Sequence, residues 1–294
     1  MEKHTLLATR GITLEMRDPI RKIRAEGGNE TAAHAFHSLF LWQKDMELSI
    51  CLQEDAFAVH CGYWGENSWF FPCGKKDAAV RLAGEILEAD PMADFRYLRE
   101  ADAALLQESW PGRFRVEATE DASEYLYNRE AYLTMPGQKY EDIRWSINHL
   151  KKNHELKTEM LDGGNMDMAR EVLDRWVPYA KSSNFSEDLQ TAELMMENLA
   201  ELEMMGVIVY MDGEPMALAA GFPVSEHSYD VAFSKSLARE RGLQFYVRRE
   251  LIARLPEQYT VINGEEDLGI PGLRQSKQLE NPVGRIEMFR AYAK

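Results

Sequence analysis

Two short segments in the second half of this 294-residue chain have residue types suited to chemistry. The first runs from Ser234 to Gly242 and contains three cations, Lys235, Arg239 and Arg241. Backbone amides at the start of a helix, together with the helix dipole, hold phosphate oxygens, and guanidinium groups neutralise the anion. Gly242 permits close approach of the backbone. The segment therefore predicts a phosphate-binding turn, with an ordinary strand-to-helix loop as the alternative.

The second segment is a run of three acids, Glu265, Glu266 and Asp267, followed by Arg274 and Lys277. Adjacent carboxylates raise one another's pKa, and a carboxylate at a strand end can remove a proton from an attacking amine. The two cations are candidates to bind an anionic substrate. We therefore predict a base or amine-orienting group among the acids, and a plain surface loop is the alternative. The sequence has no nucleophile elbow and no Cys–His arrangement, so covalent catalysis is not expected.

Composition excludes several other classes of protein. Hydrophobic residues make up 45% and charged residues 28%, a globular balance. The net charge of −15 disfavours indiscriminate binding to nucleic acid or anionic lipid. The longest stretch without a charged residue, 31–43, is much shorter than the roughly 20 apolar residues that cross a bilayer. No secretory signal is visible, so we expect a cytoplasmic protein without a transmembrane segment.

The cysteines and histidines do not indicate a metal site. Cys51, Cys61 and Cys73 contain no CxxC pair, and we expect no structural disulfide. His34 and His37 have the spacing of one helix face but no third ligand nearby. A half-buried helix is the preferred interpretation.

The predicted elements place both chemical segments at one end of a β–α–β unit. A strand over 228–234 leads into the phosphate-binding turn, a helix has its apolar face over 243–255, and a strand over 259–263 ends just before the acids. Upstream, Asp212-Gly213 separates two apolar runs and predicts a hairpin, because this dipeptide tolerates positive φ angles. This order predicts an α/β fold in which antiparallel strands lead into the β–α–β unit.

Two domains are expected from the length. An amphipathic helix follows Pro136-Gly137, and its polar face, which includes Arg144 and Asn148, is typical of a solvated connecting helix. We predict an N-terminal domain over 1–138, a connecting helix over 139–154 and a C-terminal domain over 155–294 that carries the site. In the first half, periodicity predicts helices over 30–42 and 76–88 and strands over 47–52, 56–61, 67–71, 95–98 and 113–117.

From about Ala35 onward, the chain resembles the family named for the carboxyl-terminal domain of phosphatidylglycerol lysyltransferase. The stretches 125–153 and 261–282 carry the resemblance. Their motifs are Tyr125 and Tyr127, Pro136-Gly137 before a helix with Arg144 and Asn148, Asp267-Leu268-Gly269, Gly272-Leu273-Arg274, Lys277 and Asn281-Pro282.

The resemblance implies two tandem domains of the GNAT acyltransferase fold, each a mixed, largely antiparallel sheet flanked by helices, related to the Fem-type aminoacyltransferases. It also implies acyl or aminoacyl transfer to an amine or hydroxyl. The expected substrate-binding residues are Arg274, Lys277, Arg144, Asn148, Tyr125 and Tyr127. The acceptor, small-molecule or lipid-like, and the oligomeric state are left open. A non-catalytic ligand-binding protein on the same fold is the alternative.

The same resemblance bears on the donor. Arg239, Gly242 and Gln244 occupy the places of the GNAT phosphate loop, and Gln244 stands where a small residue normally contacts pyrophosphate. The stretch 264–282 also lacks a tyrosine to protonate a thiolate. Both features disfavour coenzyme A, although aminoacyl-tRNA and acyl-CoA both stay open as donors, and no tightly bound cofactor is expected. A tRNA partner requires one contiguous positive surface from the cations of 235–254, namely Lys235, Arg239, Arg241, Arg248, Arg249 and Arg254.

Overall fold

The computed structural model describes residues 7–65, 67–177, 185–237 and 241–294. The chain divides into two compact units. The first unit comprises Met1–Glu124, Glu266–Ile270 and Arg285–Lys294, and the second comprises Tyr125–Glu265 and Pro271–Gly284.

The elements are numbered in chain order. The strands are β1 (Leu48–Leu52), β2 (Ala56–Cys61), β3 (Ser68–Gly74), β4 (Asp94–Leu98), β5 (Phe114–Ala118), β6 (Glu124–Asn128), β7 (Leu156–Met160), β8 (Met205–Met211), β9 (Glu214–Pro223), β10 (Ser228–Ser236), β11 (Val261–Asn263), β12 (Gly284–Ile286) and β13 (Phe289–Ala293). The α-helices are α1 (Arg17–Glu26), α2 (Phe36–Trp42), α3 (Lys76–Ala89), α4 (Glu100–Ser109), α5 (Arg129–Thr134), α6 (Glu141–Asn153), α7 (Met166–Trp176), α8 (Phe185–Asn198), α9 (Arg241–Arg254) and α10 (Pro271–Leu279).

In the described part of the first unit, six strands form a sheet in the order β1-β2-β3-β4-β13-β5. The β3 and β4 strands are parallel and are connected through α3, whereas the other pairs are antiparallel. The α3 helix buries Ala79, Leu82, Ala83 and Ile86 on one face. Because these positions repeat at helical spacing, burying that face against the sheet forms the core of this unit.

The other sheet, in which β7 to β11 belong to the second unit, has the order β12-β6-β11-β10-β9-β8-β7 among the described residues. The β10 and β11 strands are parallel and are connected through α9, whereas the pairs β6–β11, β9–β10, β8–β9 and β7–β8 are antiparallel. The predicted β8–β9 hairpin is confirmed, since Asp212 and Gly213 at its turn have φ angles of 54° and 88°. Apolar residues of α6 and α9 cover the sheet and form the core.

These observations confirm the predicted fold class: a mixed α/β chain with two largely antiparallel sheets flanked by helices. The compact units differ from the predicted domain boundaries. The second unit begins at Tyr125 instead of 155, and the late strand β13 lies in the first unit's sheet. The predicted connecting helix is α6, which packs on α9 inside the second unit. Its apolar face, with Ile143, Ile147 and Leu150, is therefore core.

The helix predicted over 30–42 starts only at Phe36. Before it, the Asn29 side chain accepts the Thr31 amide at 3.0 Å and the Thr31 hydroxyl at 2.8 Å. Such local side-chain bonds compete with helical hydrogen bonds, which explains the irregular backbone here.

Candidate functional site

The parallel pair of the second unit ends early. Three residues of β10 pair with β11, and the last pair is Asp230 with Asn263. The β11 strand ends there, while β10 continues to Ser236 along β9 with an irregular register after Asp230. Both residues of the last pair are fully buried. In open α/β sheets, ligands bind beyond the carboxyl ends of parallel strands, so this end of the pair is the candidate site.

The predicted phosphate-binding turn lies between β10 and α9. Residues 238–240, including Arg239, lie outside the described residues, and so does the side chain of Arg241. The described turn residue Gly242 is buried, and a Cβ there would lie 2.4 Å from the Ser146 carbonyl oxygen of α6. This glycine is therefore explained by close packing of α9 on α6. Gln244 is exposed in the first turn of α9, and the phosphate role of these residues stays a prediction.

Lys277 lies at the carboxyl end of β11. Its ammonium group donates to the carbonyl oxygen of Gly264, the residue after the strand. A Cβ on Gly264 would lie 2.7 Å from the Tyr127 ring, so the backbone approaches that ring closely. The Tyr127 hydroxyl in turn donates to the Lys277 carbonyl oxygen at 3.0 Å. Arg274 is three residues before Lys277 on α10, which places both cations on one helix face.

A buried ion pair between Arg248 of α9 and Glu280 lies close to the carboxyl end of β11. Arg248 donates from Nε to the Glu280 carboxylate at 3.0 Å, and the Tyr132 hydroxyl donates to the same oxygen at 2.6 Å. Burial alone would lower the pKa of Arg248, but the negative charge of Glu280 raises it above the ordinary arginine range. Burial is the main reason that the pKa of Tyr132 is raised, and the negative charge of Glu280 raises it further. A Cβ atom on Gly264 would lie 3.6 Å from a terminal nitrogen of Arg248, so α9 approaches the end of β11 closely.

The three predicted acids do not share one environment. Glu265 belongs to the second unit, has a φ of 58° and is partly exposed. Its amide donates to the Asn263 side chain at 2.7 Å. Glu266 and Asp267 belong to the first unit. Burial, followed by the charge of Glu266, raises the pKa of Tyr97.

Asp267 is fully buried and accepts the Gly269 amide at 2.9 Å, as in a turn that the side chain stabilises. Because a general base must reach the substrate, this burial does not favour Asp267 in that role, which stays a prediction.

The other predicted substrate residues have structural contacts. Arg144 donates to the carbonyl oxygen of Met135 and also to that of Gly137, the latter at 2.6 Å. These two bonds stabilise the turn before α6. Tyr125 and Tyr127 are each 1% exposed and belong to the core. Their burial does not favour contact with substrate, which stays a prediction. Asn148 is exposed on α6.

The described cations of the predicted positive surface are engaged locally. Arg248 bonds to Glu280, Arg249 donates to the Leu133 carbonyl oxygen at 3.1 Å, and Arg254 pairs with Glu250 at 2.7 Å. The Lys235 ammonium lies 4.1 Å from the centre of the Trp176 ring. The electrostatic argument for a tRNA partner therefore gains nothing from these four residues.

The first unit has a matching parallel pair, also of three residues, in β3 and β4. The segment 27–35, which joins α1 to α2, covers its carboxyl end. His34 donates from Nε2 to the Phe71 carbonyl oxygen of β3 at 3.0 Å, and Arg99, just after β4, donates to the Gly28 carbonyl oxygen at 2.6 Å. Burial lowers the pKa of His34 to about 4. A neutral, buried histidine in this position supports packing.

Sequence reasoning missed the partners of the site. Arg248 was counted as a surface charge, and Glu280 and Tyr132 were not singled out. The available signal was the position of Arg248 beside the apolar face of α9. Within the described residues, no three His, Cys, Asp or Glu side chains are arranged to hold a metal ion. No helix in the described ranges has both the length and the apolar character needed to cross a bilayer.

Two parallel pairs, each inside a largely antiparallel sheet and each connected through a helix, are the architecture of a tandem GNAT-like and Fem-like fold. The family described as "Phosphatidylglycerol lysyltransferase, C-terminal" matches residues 25–292. The chain belongs to this family. A comparison with curated proteins found no match.

Solved structures show the same fold. A conserved protein of unknown function from Bacteroides thetaiotaomicron VPI-5482 has a TM-score of 0.90 at 22% identity, covering 98% of this chain and 100% of that one. L-PGS from Bacillus licheniformis has a TM-score of 0.64 at 17% identity, covering 93% and 91%. FemX has a TM-score of 0.64 at 10% identity, covering 98% and 97%.

Proposed function

We propose that the second unit transfers an acyl or aminoacyl group from a donor, aminoacyl-tRNA or acyl-CoA, to an amine or hydroxyl acceptor. Family membership over 25–292 supports this class of reaction. The structural observation that carries the proposal is the short parallel pair of β10 and β11. Its carboxyl end has Lys277 and the partly exposed Glu265 beside it, in contrast to the covered pair of the first unit.

In the proposed reaction, the acceptor nitrogen or oxygen attacks the carbonyl carbon of the donor. The new C–N or C–O bond forms as the bond to the ribose oxygen or thiol sulfur breaks, and the leaving group takes up a proton. Glu265 is the acid that we assign as base, because it alone of the three is both partly exposed and part of the second unit. Arg274 and Lys277 would hold an anionic part of a substrate.

Of the two donors, we favour aminoacyl-tRNA. Gln244 is exposed in the first turn of α9, where coenzyme A binding would need a small residue. The local pairing of the cations on α9 does not strengthen this choice, so both donors belong in the test.

The test measures label transfer from radiolabelled aminoacyl-tRNA or acetyl-CoA to cell extract and to phosphatidylglycerol vesicles. Glu265→Gln and Arg274→Ala should each lower the transfer rate by about 100-fold or more, in the range of a lost general base or anchor. Glu257→Gln and Gln278→Ala, two exposed positions in the same unit, serve as matched controls and should retain the full rate.

Transfer that survives both site variants would place the chemistry elsewhere. Donor binding without turnover, seen as a donor-dependent rise in melting temperature, would instead support a non-catalytic binding protein. Preferential transfer from acetyl-CoA would overturn the choice of donor.

A further inference from the structure

The first unit has an open cleft of about 500 Å³ at the amino ends of β3 and β4. Ser68 and Asp94, the first residues of these strands, are partners in the parallel pair and line the cleft. This end of the pair is opposite to the end that segment 27–35 covers. The volume lies in the range of small-molecule sites. Trp64, Met92 and Arg290 are also in the wall.

Asp94 and Arg290 form an ion pair in this wall. Arg290 donates from Nε to one Asp94 oxygen at 2.7 Å, and one of its terminal nitrogens donates to the same oxygen. The other Asp94 oxygen accepts the Ser68 hydroxyl at 2.8 Å. The second terminal nitrogen of Arg290 has no partner among the described residues, and the side chain is 26% exposed. It can therefore donate to a ligand in the cleft.

A second arginine, Arg96, lies beside this ion pair. Its Nε is 3.8 Å from the Asp94 carboxylate, which is beyond hydrogen-bond distance, and it is buried without a partner in the described part of the chain. The guanidinium stacks over the Trp64 ring, with its central carbon 4.1 Å from the ring centre. Buried polar atoms without a partner are uncommon in folded proteins. Asp94 is therefore shared between two cations and is bonded to only one of them.

The charge that results is positive. Burial lowers the pKa of Arg96, the positive charge of Arg290 lowers it further, and Asp94 is the carboxylate that opposes both. Glu66 lies outside the described residues. Among the described residues, two arginines share one carboxylate, so the wall attracts an anion.

Other charged side chains near the cleft occur with both signs. Arg115 pairs with Glu117 at 3.2 Å. Asp90 accepts the Met92 amide at 2.9 Å, and Arg113 donates to the carbonyl oxygen just before Met92 at 3.3 Å. These four residues contribute two positive and two negative charges, so they do not cancel the excess at the ion pair.

The aromatic rings of the wall are engaged within the protein. The Tyr292 ring has the guanidinium carbons of Arg290 and Arg115 at 4.2 and 4.9 Å from its centre, and the second arginine covers the Trp64 ring. This arrangement disfavours a stacked nucleobase. Met92 offers an apolar surface instead, since it is 57% exposed in the same wall.

We propose that this cleft binds a small organic anion, a carboxylate or a phosphate monoester, with its charged group on Arg290 and its apolar part on Met92. Guanidinium groups bind both kinds of anion through paired hydrogen bonds. Arg96 adds the second positive charge, and the exposed Asn67 side chain, also in the wall, supplies a neutral donor. The inference does not rest on the proposed function, which concerns the second unit.

Isothermal titration calorimetry of the full chain tests the proposal with phenyl phosphate, phenylacetate and inorganic phosphate. An organic anion should bind with a Kd of about 1 mM or lower, and benzylamine, a cation of similar size, should not bind. Arg96→Gln should weaken anion binding about 10-fold or more, and Asn67→Ala, at an exposed position, about 2- to 10-fold. Arg81→Gln is the matched control, since it changes an exposed arginine of the same unit, and should bind like the wild type.

Met92→Ala separates an organic ligand from a bare anion. It should weaken binding of phenyl phosphate about 3-fold and leave binding of inorganic phosphate unchanged. Glu66→Gln should bind anions at least as tightly as the wild type, because the change removes a negative charge. Circular dichroism of each variant checks that the fold is kept.

Absence of anion binding would overturn the inference, as would equal binding of benzylamine and phenyl phosphate. Wild-type affinity in both Arg96→Gln and Asn67→Ala would also overturn it, and wild-type affinity of Met92→Ala for phenyl phosphate would overturn the organic ligand. Anion binding in a chain that transfers no acyl group would support this inference while the proposed function fails. Transfer without anion binding at the cleft would do the reverse.

Discussion

The two units contain the same parallel arrangement with different surroundings at its carboxyl end. In the first unit, segment 27–35 covers the end of β3 and β4. The buried His34 side chain donates to the Phe71 carbonyl oxygen of β3, and the Arg99 side chain, just after β4, donates to the Gly28 carbonyl oxygen of the segment. In the second unit, partly exposed Glu265, Arg274 and Lys277 lie near the end of β11. In the first unit, the protein's own segment therefore occupies this end of the parallel pair, whereas in the second unit polar groups stay accessible to a ligand.

The largest effect on stability is expected from Arg248→Met. This change leaves the Glu280 carboxylate buried without its cation and should lower the free energy of unfolding by about 3–5 kcal/mol. Urea unfolding measures the loss, and hydrogen exchange should locate it in the second unit. Arg254→Met removes a more exposed pair on the same helix and should cost no more than about 1 kcal/mol. Equal losses would show that the Arg248 pair is not a special support of the open site.

Gly242→Ala tests whether this glycine serves packing or ligand approach. The added methyl group meets the Ser146 carbonyl oxygen, and the free energy of unfolding should fall by about 1–3 kcal/mol. Gly272→Ala, at a position with open space in α10, should leave the stability close to that of the wild type. A stable Gly242→Ala protein that has lost donor binding would favour the phosphate role.

The covered pair of the first unit should make stability depend on pH through His34. Because folding lowers the pKa of His34 from 6.5 to about 4, the unfolded chain binds more protons between these values. Stability is then full above pH 6.5 and falls as the pH drops, by about 2 kcal/mol at pH 5. His34→Gln should remove this part of the pH dependence in urea unfolding. His227→Gln, an exposed histidine of the second unit, should leave it in place.

The smallest effect on stability is expected at the accessible end. Arg274 is partly exposed, so Arg274→Ala should change the free energy of unfolding by no more than about 0.5 kcal/mol, even though transfer is lost. Measuring both quantities on one preparation separates a ligand contact from a structural one. A large loss of stability would contradict the contrast between the two units.

Local patterns predicted the elements well where packing and propensity agree. The helix predicted over 76–88 is α3, and the strand over 56–61 is β2. Positions that depend on distant residues were not predictable in this way. The partner of Arg248 is 32 residues away, and β13 pairs with β4 and β5 across most of the chain. Single-sequence periodicity carries no information on such pairings.

The candidate site was predicted in part. The segment after β11 was identified from its acids, and Lys277 is indeed beside the strand end. The sequence does not predict the burial of Asp267, because burial of three adjacent acids depends on the backbone conformation of the segment, which the residue types alone do not specify. The positive φ angles of Glu265 and Leu268 are part of that conformation.

The position of β13 has a consequence for synthesis on the ribosome. This strand lies between β4 and β5, so the first unit's sheet has a gap until residues 289–293 have been made. The earlier strands must then wait, with two unpaired edges, while the whole second unit emerges. A nascent chain halted before residue 289 should therefore be a good client for chaperones that protect exposed strand edges.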